Sequence, residues 1–297
     1  MLIFACPGQG SQTPGFLTPW LETYPNLLGR LNTFSEYCGK DLIQLGTEAD
    51  EETIRDTAVA QRLIVGSSLA IYREVFSDFA VDGAVGHSVG EVAAAAIAGV
   101  ISDEDAMKLV GVRADAMAAA AAKEPTSMAA VVGGDSEAVH KAISEFGLEV
   151  ANFNGGGQMV AAGRKASIHN LVASPPEKAR VIELKVAGAF HTSFMQDAVD
   201  EVEQFASSIQ TSDPKVAIWT NFDGSKIDSG QAFLELIVRQ ISRPVRWDLC
   251  MDSINIEGCK VIELPPAGAL AGLIKRGADK VLGIAIKSPA DADKVSA

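Results

Sequence analysis

The sequence predicts an α/β fold, a large body with a parallel sheet into which a smaller unit is inserted, and three observations point to it. Short apolar runs end in Gly-rich turns that lead into helices, as at Pro7-Gly8-Gln9-Gly10 and Gly86-His87-Ser88-Val89-Gly90. Between Pro125 and Gly188 the pattern changes to smaller elements, in the order strand, helix, strand, strand, helix, strand. Finally, 297 residues that are 47% hydrophobic and 21% charged suffice for one large domain or two of ordinary size.

In the body, residues 2–6 read as a buried strand and residues 81–85 as the next. The short side chains of residues 91–101 then pack only as a helix. A second helix carries Ala106, Leu109, Val110, Arg113 and Met117 on one face. Strands at 128–132, 148–153, 158–162 and 180–186 alternate with helices at 135–146 and 166–172, and Asn154-Gly155-Gly156-Gly157 turns the central hairpin. This βαββαβ order is the ferredoxin-like arrangement, so residues 125–188 are read as an inserted subdomain and residues 1–124 with 189–297 as the body. The hinges fall at Pro125 and Val186-Ala187-Gly188. Strands at 216–220, 261–264 and 281–286 complete the body, and the chain from Ser288 reads as a frayed tail.

Composition excludes several function classes. With 25 Lys and Arg against 38 Asp and Glu, the formal charge of −13 repels a phosphate backbone, so no nucleic-acid partner is expected. The longest uncharged apolar run, residues 92–101, is far short of the ~20 residues of a bilayer span, so no membrane partner is expected either. Cys6, Cys38, Cys250 and Cys259 lack C-x-x-C spacing, which argues against a zinc site or a disulfide framework and suits a reducing compartment. The opening MLIFACPGQG lacks the basic start of a signal peptide, and a cytoplasmic location is expected.

The pentapeptide at 86–90 matches G-x-S-x-G, a strand-to-helix turn that needs glycine on both sides of an exposed serine, as in α/β-hydrolase-like bodies. Ser88 is thus a candidate nucleophile, with a plain helix N-cap as the alternative. There the amide of Val89 could donate to an oxyanion, aided by the helix dipole. Of four histidines, His140 and His169 fall on solvated helix sides, and His87 braces the turn, which leaves His191, in Gly188-Ala189-Phe190-His191-Thr192, as the candidate base. Arg113 sits among core-facing positions, and a buried cation demands an anion: a structural carboxylate, or a substrate carboxylate held bidentately. Gln9 ends the first strand, where its backbone N–H could be the second oxyanion donor.

Taken together, PGQGSQ at 7–12, GHSVGE at 86–91, Arg113, Met128-Ala129-Ala130, Asn152-Phe153-Asn154, GAFHTSFM at 188–195 and Gln240 with PVRW at 244–247 resemble the malonyl-CoA:acyl carrier protein transacylases. The residues around 245–250 and Ser288-Pro289 are similar to the actinobacterial branch of that acyltransferase family. The resemblance implies that Ser88 is acylated, that His191 is its base and acid, and that Gln9 and Val89 form the oxyanion hole. It implies further that Arg113 holds the malonyl carboxylate and that the main-chain carbonyl of Gln240 orients His191, with Asn154, Phe190 and Met117 lining the site. Malonyl-CoA and the phosphopantetheine thiol of an acyl carrier protein are then the substrates in fatty acid synthesis, with no bound cofactor or metal, and a monomer is expected. Three positions depart from the family pattern: Arg62 stands where a proline usually follows the glutamine matched by Gln61, Gly155–Gly157 lack a proline, and Pro265-Pro266-Ala267-Gly268 replaces Gly-Pro-Gly.

A serine hydrolase or thioesterase using the same Ser-His pair is the alternative enzyme, although such chains usually run Ser, Asp, His in sequence. Arg62, Lys178, Arg180, Lys275 and Arg276 are candidates for a basic patch that receives an acidic carrier.

Overall fold

A computed structural model of the chain describes residues 1–296. Its ten strands, numbered in chain order, form two five-stranded sheets. The first sheet comprises β1 (Leu2–Cys6), β2 (Gly83–Gly86), β7 (Ala217–Trp219), β9 (Cys259–Glu263) and β10 (Val281–Ala285) in the order β10-β9-β1-β2-β7, every pair parallel. Parallel strands need crossover helices on both faces, so the central strands are apolar throughout and Ile3 to Cys6 are fully buried. Helices Thr57–Ile71, Gly90–Ile97 and Asp103–Ala121 supply much of that cover.

The second sheet comprises β3 (Thr126–Gly133), β4 (Glu149–Gly155), β5 (Gln158–Arg164), β6 (Ala179–Glu183) and β8 (Val245–Arg246) in the order β6-β3-β5-β4-β8. Its first four strands are antiparallel and follow the ferredoxin-like order. The fifth was not legible from the sequence: β8 comes from far along the chain and pairs parallel with β4 through Asn152 and Phe153. Two residues of strand carry too little pattern to be read as one. The hairpin turn between β4 and β5 also docks outward, because Gly155, Gly156 and Gly157 all have positive φ and built Cβ atoms on the first two would meet Met251 and Arg276.

Several expectations are corrected here. The strand read as 180–186 ends at Glu183, after which Leu184 and Val186 turn to line the central cavity. The helix read as 91–101 runs from Gly90 to Ile97, and Gly99, at φ 77°, turns the chain away. Beyond Ser288 the chain is not frayed: Ser288 and Asp291 form a capping box over a 3₁₀ turn, Pro289–Val295, and Val295 is buried. Arg62 is not a surface cation. It is 4% exposed, with Nε donating to the Cys38 carbonyl at 2.9 Å, Nη1 to Ala58 and Nη2 to Asp115 at 2.5 Å, so it ties three helices together instead of facing a carrier.

Arg62→Ala should therefore lower stability by about 1–3 kcal/mol through the orphaned Cys38 carbonyl and lost packing. Thermal unfolding checks this, and an unchanged melting temperature would mean that the strut carries no weight.

Candidate active site

Most candidate residues of the body leave the carboxyl edge of the parallel sheet or a helix beside it, the place where open α/β sheets hold ligands, whereas Phe190 and His191 lie in the turn that follows β6 of the second sheet. From β1 comes Gly8-Gln9, from β2 His87-Ser88-Val89, from β7 Thr220-Asn221 and from β9 the loop to Gly268. The β2 turn closes on the β1 loop so tightly that a Cβ on Gly86 would lie 2.2 Å from the Gly90 carbonyl carbon, and one on Gly90 2.1 Å from the Cys6 oxygen. Two glycines thus let Ser88 adopt φ 54°, a left-handed conformation that non-glycine residues rarely take, and the turn lifts its side chain into the cavity.

The cavity measures about 410 Å³ and lies between the two sheets. Ser88, His191, Gln9, Val89, Arg113, Met117, Asn154 and Phe190 all line it, and the structure therefore brings together eight of the nine candidates. The ninth, Gln240, sits behind His191. Among the described residues neither the Gln9 nor the Val89 backbone N–H has an acceptor within the protein, so both remain available to a ligand.

Ser88 Oγ lies 2.7 Å from His191 Nε2, across 103 residues of sequence. His191 Nδ1 is 2.8 Å from the Gln240 carbonyl oxygen. A carbonyl only accepts, so Nδ1 carries the hydrogen and Nε2 keeps the lone pair that faces the serine hydroxyl. His191 is 4% exposed, and burial, reinforced by the Arg113 charge, lowers its pKa to about 3. The second ring, His87, is held through Nε2 at 3.0 Å from Asn154 Oδ1 and edge-on to Trp247, and it braces the turn against the second sheet. Burial also pushes its pKa down.

Arg113 is 1% exposed, with Nη1 donating to Gln61 Oε1 and Nη2 3.5 Å from Gln240 Oε1, while its Nε has no partner. Among the described residues no carboxylate reaches ion-pairing distance of it. Glu91 is the acid whose charge it feels, and burial lowers the guanidinium to about 10 all the same. The structural ion pair left open by the sequence is thus absent, and the cavity is where an anion would complete the site.

Three residues were missed, Asn221 and Glu91 behind the cavity and Gln61 in its wall. Asn221, fully buried, accepts the Ser88 backbone N–H on Oδ1 at 2.8 Å and donates Nδ2 to the Gly86 carbonyl at 2.8 Å, spanning the turn from behind. Glu91, 1% exposed, accepts from Asn221 N and from Gln240 Nε2, and burial raises its carboxyl to about 8. Gln61 stood out in the sequence only as the residue before a departure. A pair of polar residues directly after an apolar strand, as Thr220-Asn221 follow β7, was the one signal available.

A histidine whose pKa falls from about 6.5 is neutral when folded and protonated when unfolded in between, so its contribution to stability is present above about pH 6.5 and is lost as pH drops toward 3. In an NMR titration, the imidazole signal that disappears in His191→Ala should show no inflection between about pH 5 and 8. An inflection near the ordinary histidine value would contradict the burial argument.

Comparison with known proteins places the chain in a family. The family model described as acyl transferase domain matches residues 3–292. The malonyl CoA-acyl carrier protein transacylase of Mycobacterium tuberculosis strain H37Rv is 44% identical over 301 residues, covering 100% of this chain and 99% of that protein. Its namesake from Escherichia coli K12 is 31% identical, covering 96% of each. Among solved structures, one from Mycobacterium tuberculosis superposes with a TM-score of 0.95 at 44% identity over the whole of both chains. Another, a malonyl-transacylase in complex with a type II PKS acyl-carrier protein, gives 0.92 at 28% identity over 99% of this chain and 98% of that one. The chain belongs to the acyl transferase domain family, in the group of the malonyl CoA-acyl carrier protein transacylases.

Proposed function

We propose that the chain transfers the malonyl group of malonyl-CoA to the phosphopantetheine thiol of an acyl carrier protein through a malonyl-Ser88 ester. The observation that carries the reading is a buried guanidinium without a carboxylate, Arg113, in the same cavity as the Ser88–His191 pair. Ser88 Oγ attacks the thioester carbonyl as its proton passes to His191 Nε2, and the oxyanion meets the free N–H groups of Gln9 and Val89. Collapse expels CoA thiolate, which takes the proton from His191. The carrier thiol then repeats the sequence in reverse, and Ser88 regains its proton.

Arg113 gives this chemistry its substrate class. A malonyl carboxylate satisfies the guanidinium and cancels part of the field that depresses His191, so the base strengthens when the right acyl group is seated. Acetyl does neither. A hydrolase passing the acyl group to water has no comparable use for Arg113.

Around the mouth, Lys275 and Arg276 are exposed at the end of the helix Ala269–Gly277, and Arg276 packs against the Gly156 turn. Lys178 and Arg180 are exposed beside Gly133, whose N–H bonds to the Gly157 carbonyl at 2.8 Å. Four cations therefore bracket the hairpin on a chain of net charge −13, a local patch suited to an acidic carrier. The reading takes residues 125–188 as a subdomain closing the site over the body, and a cytoplasmic monomer that binds no cofactor, nucleic acid or membrane.

Charge-assisted hydrogen bonds are worth about 1.5–3 kcal/mol, so Arg113→Ala should cut malonyl kcat/KM at least ~10-fold and acetyl kcat/KM much less. An unchanged malonyl-to-acetyl ratio in a folded variant would reduce Arg113 to a structural residue. Lys178→Glu with Lys275→Glu should raise the KM for the carrier about 10-fold and leave acylation by malonyl-CoA alone. Equal carrier KM in variant and wild type would remove these lysines from the docking surface.

A further inference from the structure

Along the back wall of the cavity and beneath it, five polar side chains, those of Arg113, Gln240, Asn221, Glu91 and Gln61, meet where none is more than 4% exposed. Their donors and acceptors fit in one order. Asn221 Oδ1 receives the Ser88 N–H at 2.8 Å and Gln240 Nε2 at 3.0 Å, and Asn221 Nδ2 is spent on the Gly86 carbonyl, which forbids the reverse orientation of that amide. Gln240 Nε2 gives its second hydrogen to Glu91 Oε2, which leaves Gln240 Oε1 turned toward Arg113 Nη2 at 3.5 Å. Glu91 Oε1 is occupied by the Asn221 backbone N–H. Both oxygens receive N–H donors, a pattern that only the ionised carboxylate satisfies, so these bonds and the nearby Arg113 charge oppose the burial that raises the Glu91 pKa, and a backbone donor that cannot turn fixes one oxygen.

We infer that Glu91 is a positioning residue for malonyl selection: by accepting from both Asn221 N and Gln240 Nε2 it fixes which end of the Gln240 amide faces Arg113, and so where the guanidinium points. The inference rests on the proposed role of Arg113 and adds to it. Gln240 is the link because its two ends serve different groups, its main-chain carbonyl orienting His191 and its side-chain oxygen steadying Arg113. Among the described residues, only Gln240 hydrogen-bonds to both His191 and Arg113. An amide in place of Glu91 retains one acceptor for the Asn221 N–H and turns its NH₂ on Gln240. Gln240 must then rotate, presenting hydrogens to Arg113 and leaving Asn221 Oδ1 with the Ser88 N–H alone. The elbow stays held, whereas the guanidinium loses an acceptor and gains a repulsive donor.

The test is the malonyl-to-acetyl ratio of kcat/KM in wild type, Glu91→Gln and Gln240→Met, with melting temperature measured beside it. Gln240→Met keeps the main-chain carbonyl and removes the amide, so it decides the matter if Glu91→Gln does not fold. The ratio should fall at least ~10-fold in each folded variant, with malonyl kcat/KM carrying the change, and the double variant should fall no further than Gln240→Met alone. A role in stability only would lower malonyl and acetyl transfer equally, and that result, or an unchanged ratio, overturns the inference while leaving the transferase reading intact. Absence of malonyl transfer in wild type would overturn both.

Discussion

A positive charge buried without a carboxylate is the constraint around which the site is organised. Removing a guanidinium from water is costly, and neutral amides repay only part of that cost, which is why Arg113 is held by Gln61 and Gln240 on one side and left open on another. The cavity supplies what the fold withholds, a place for an anion beside Ser88. The same charge adds to the burial that keeps the His191 imidazole neutral, while the Gln240 carbonyl turns its lone pair toward the serine. In the proposed function, substrate recognition and base strength are therefore two effects of one cation.

The fold's contribution is to bring distant segments to one edge of a parallel sheet. Four strand ends deliver Gln9, Ser88, Asn221 and the loop to Gly268, and the second sheet lays Asn154 across the opening. Close packing at Gly86 and Gly90 makes the left-handed Ser88 backbone the conformation that fits, and Asn221 locks it from behind. A main-chain carbonyl orients the histidine. It has the directional effect of a carboxylate without its charge, so in the proposed reaction an imidazolium at His191 would be short of compensation until an anion sat on Arg113.

Much of this was legible in the sequence because it is encoded locally. A strand running into Gly-x-Ser-x-Gly and then into small residues specifies strand, turn and helix within about fifteen residues. The change to smaller elements after Pro125 marked the ferredoxin-like strand order of the second sheet, and helical spacing marked the Arg113 face. What stayed hidden depends on contacts across the chain: β8, a two-residue strand paired with β4; Asn221, which meets Ser88 over 133 positions; and Glu91, whose partners are 130 and 149 positions away. Arg62 misled because a lone arginine on a helix reads as surface, whereas its guanidinium fills a buried junction. The C-terminal turn misled for the opposite reason, a polar tail held by a capping box that only the fold completes.

The central claim is that Ser88 carries the acyl group between two thiols. Intact mass after mixing with malonyl-CoA, and again after adding a phosphopantetheinylated carrier protein, tests it most directly. The account predicts one malonyl adduct on the wild-type chain, none on Ser88→Ala, and its transfer to the carrier with little loss to water. A full adduct on Ser88→Ala, or one that decays at the same rate with and without the carrier, would contradict it.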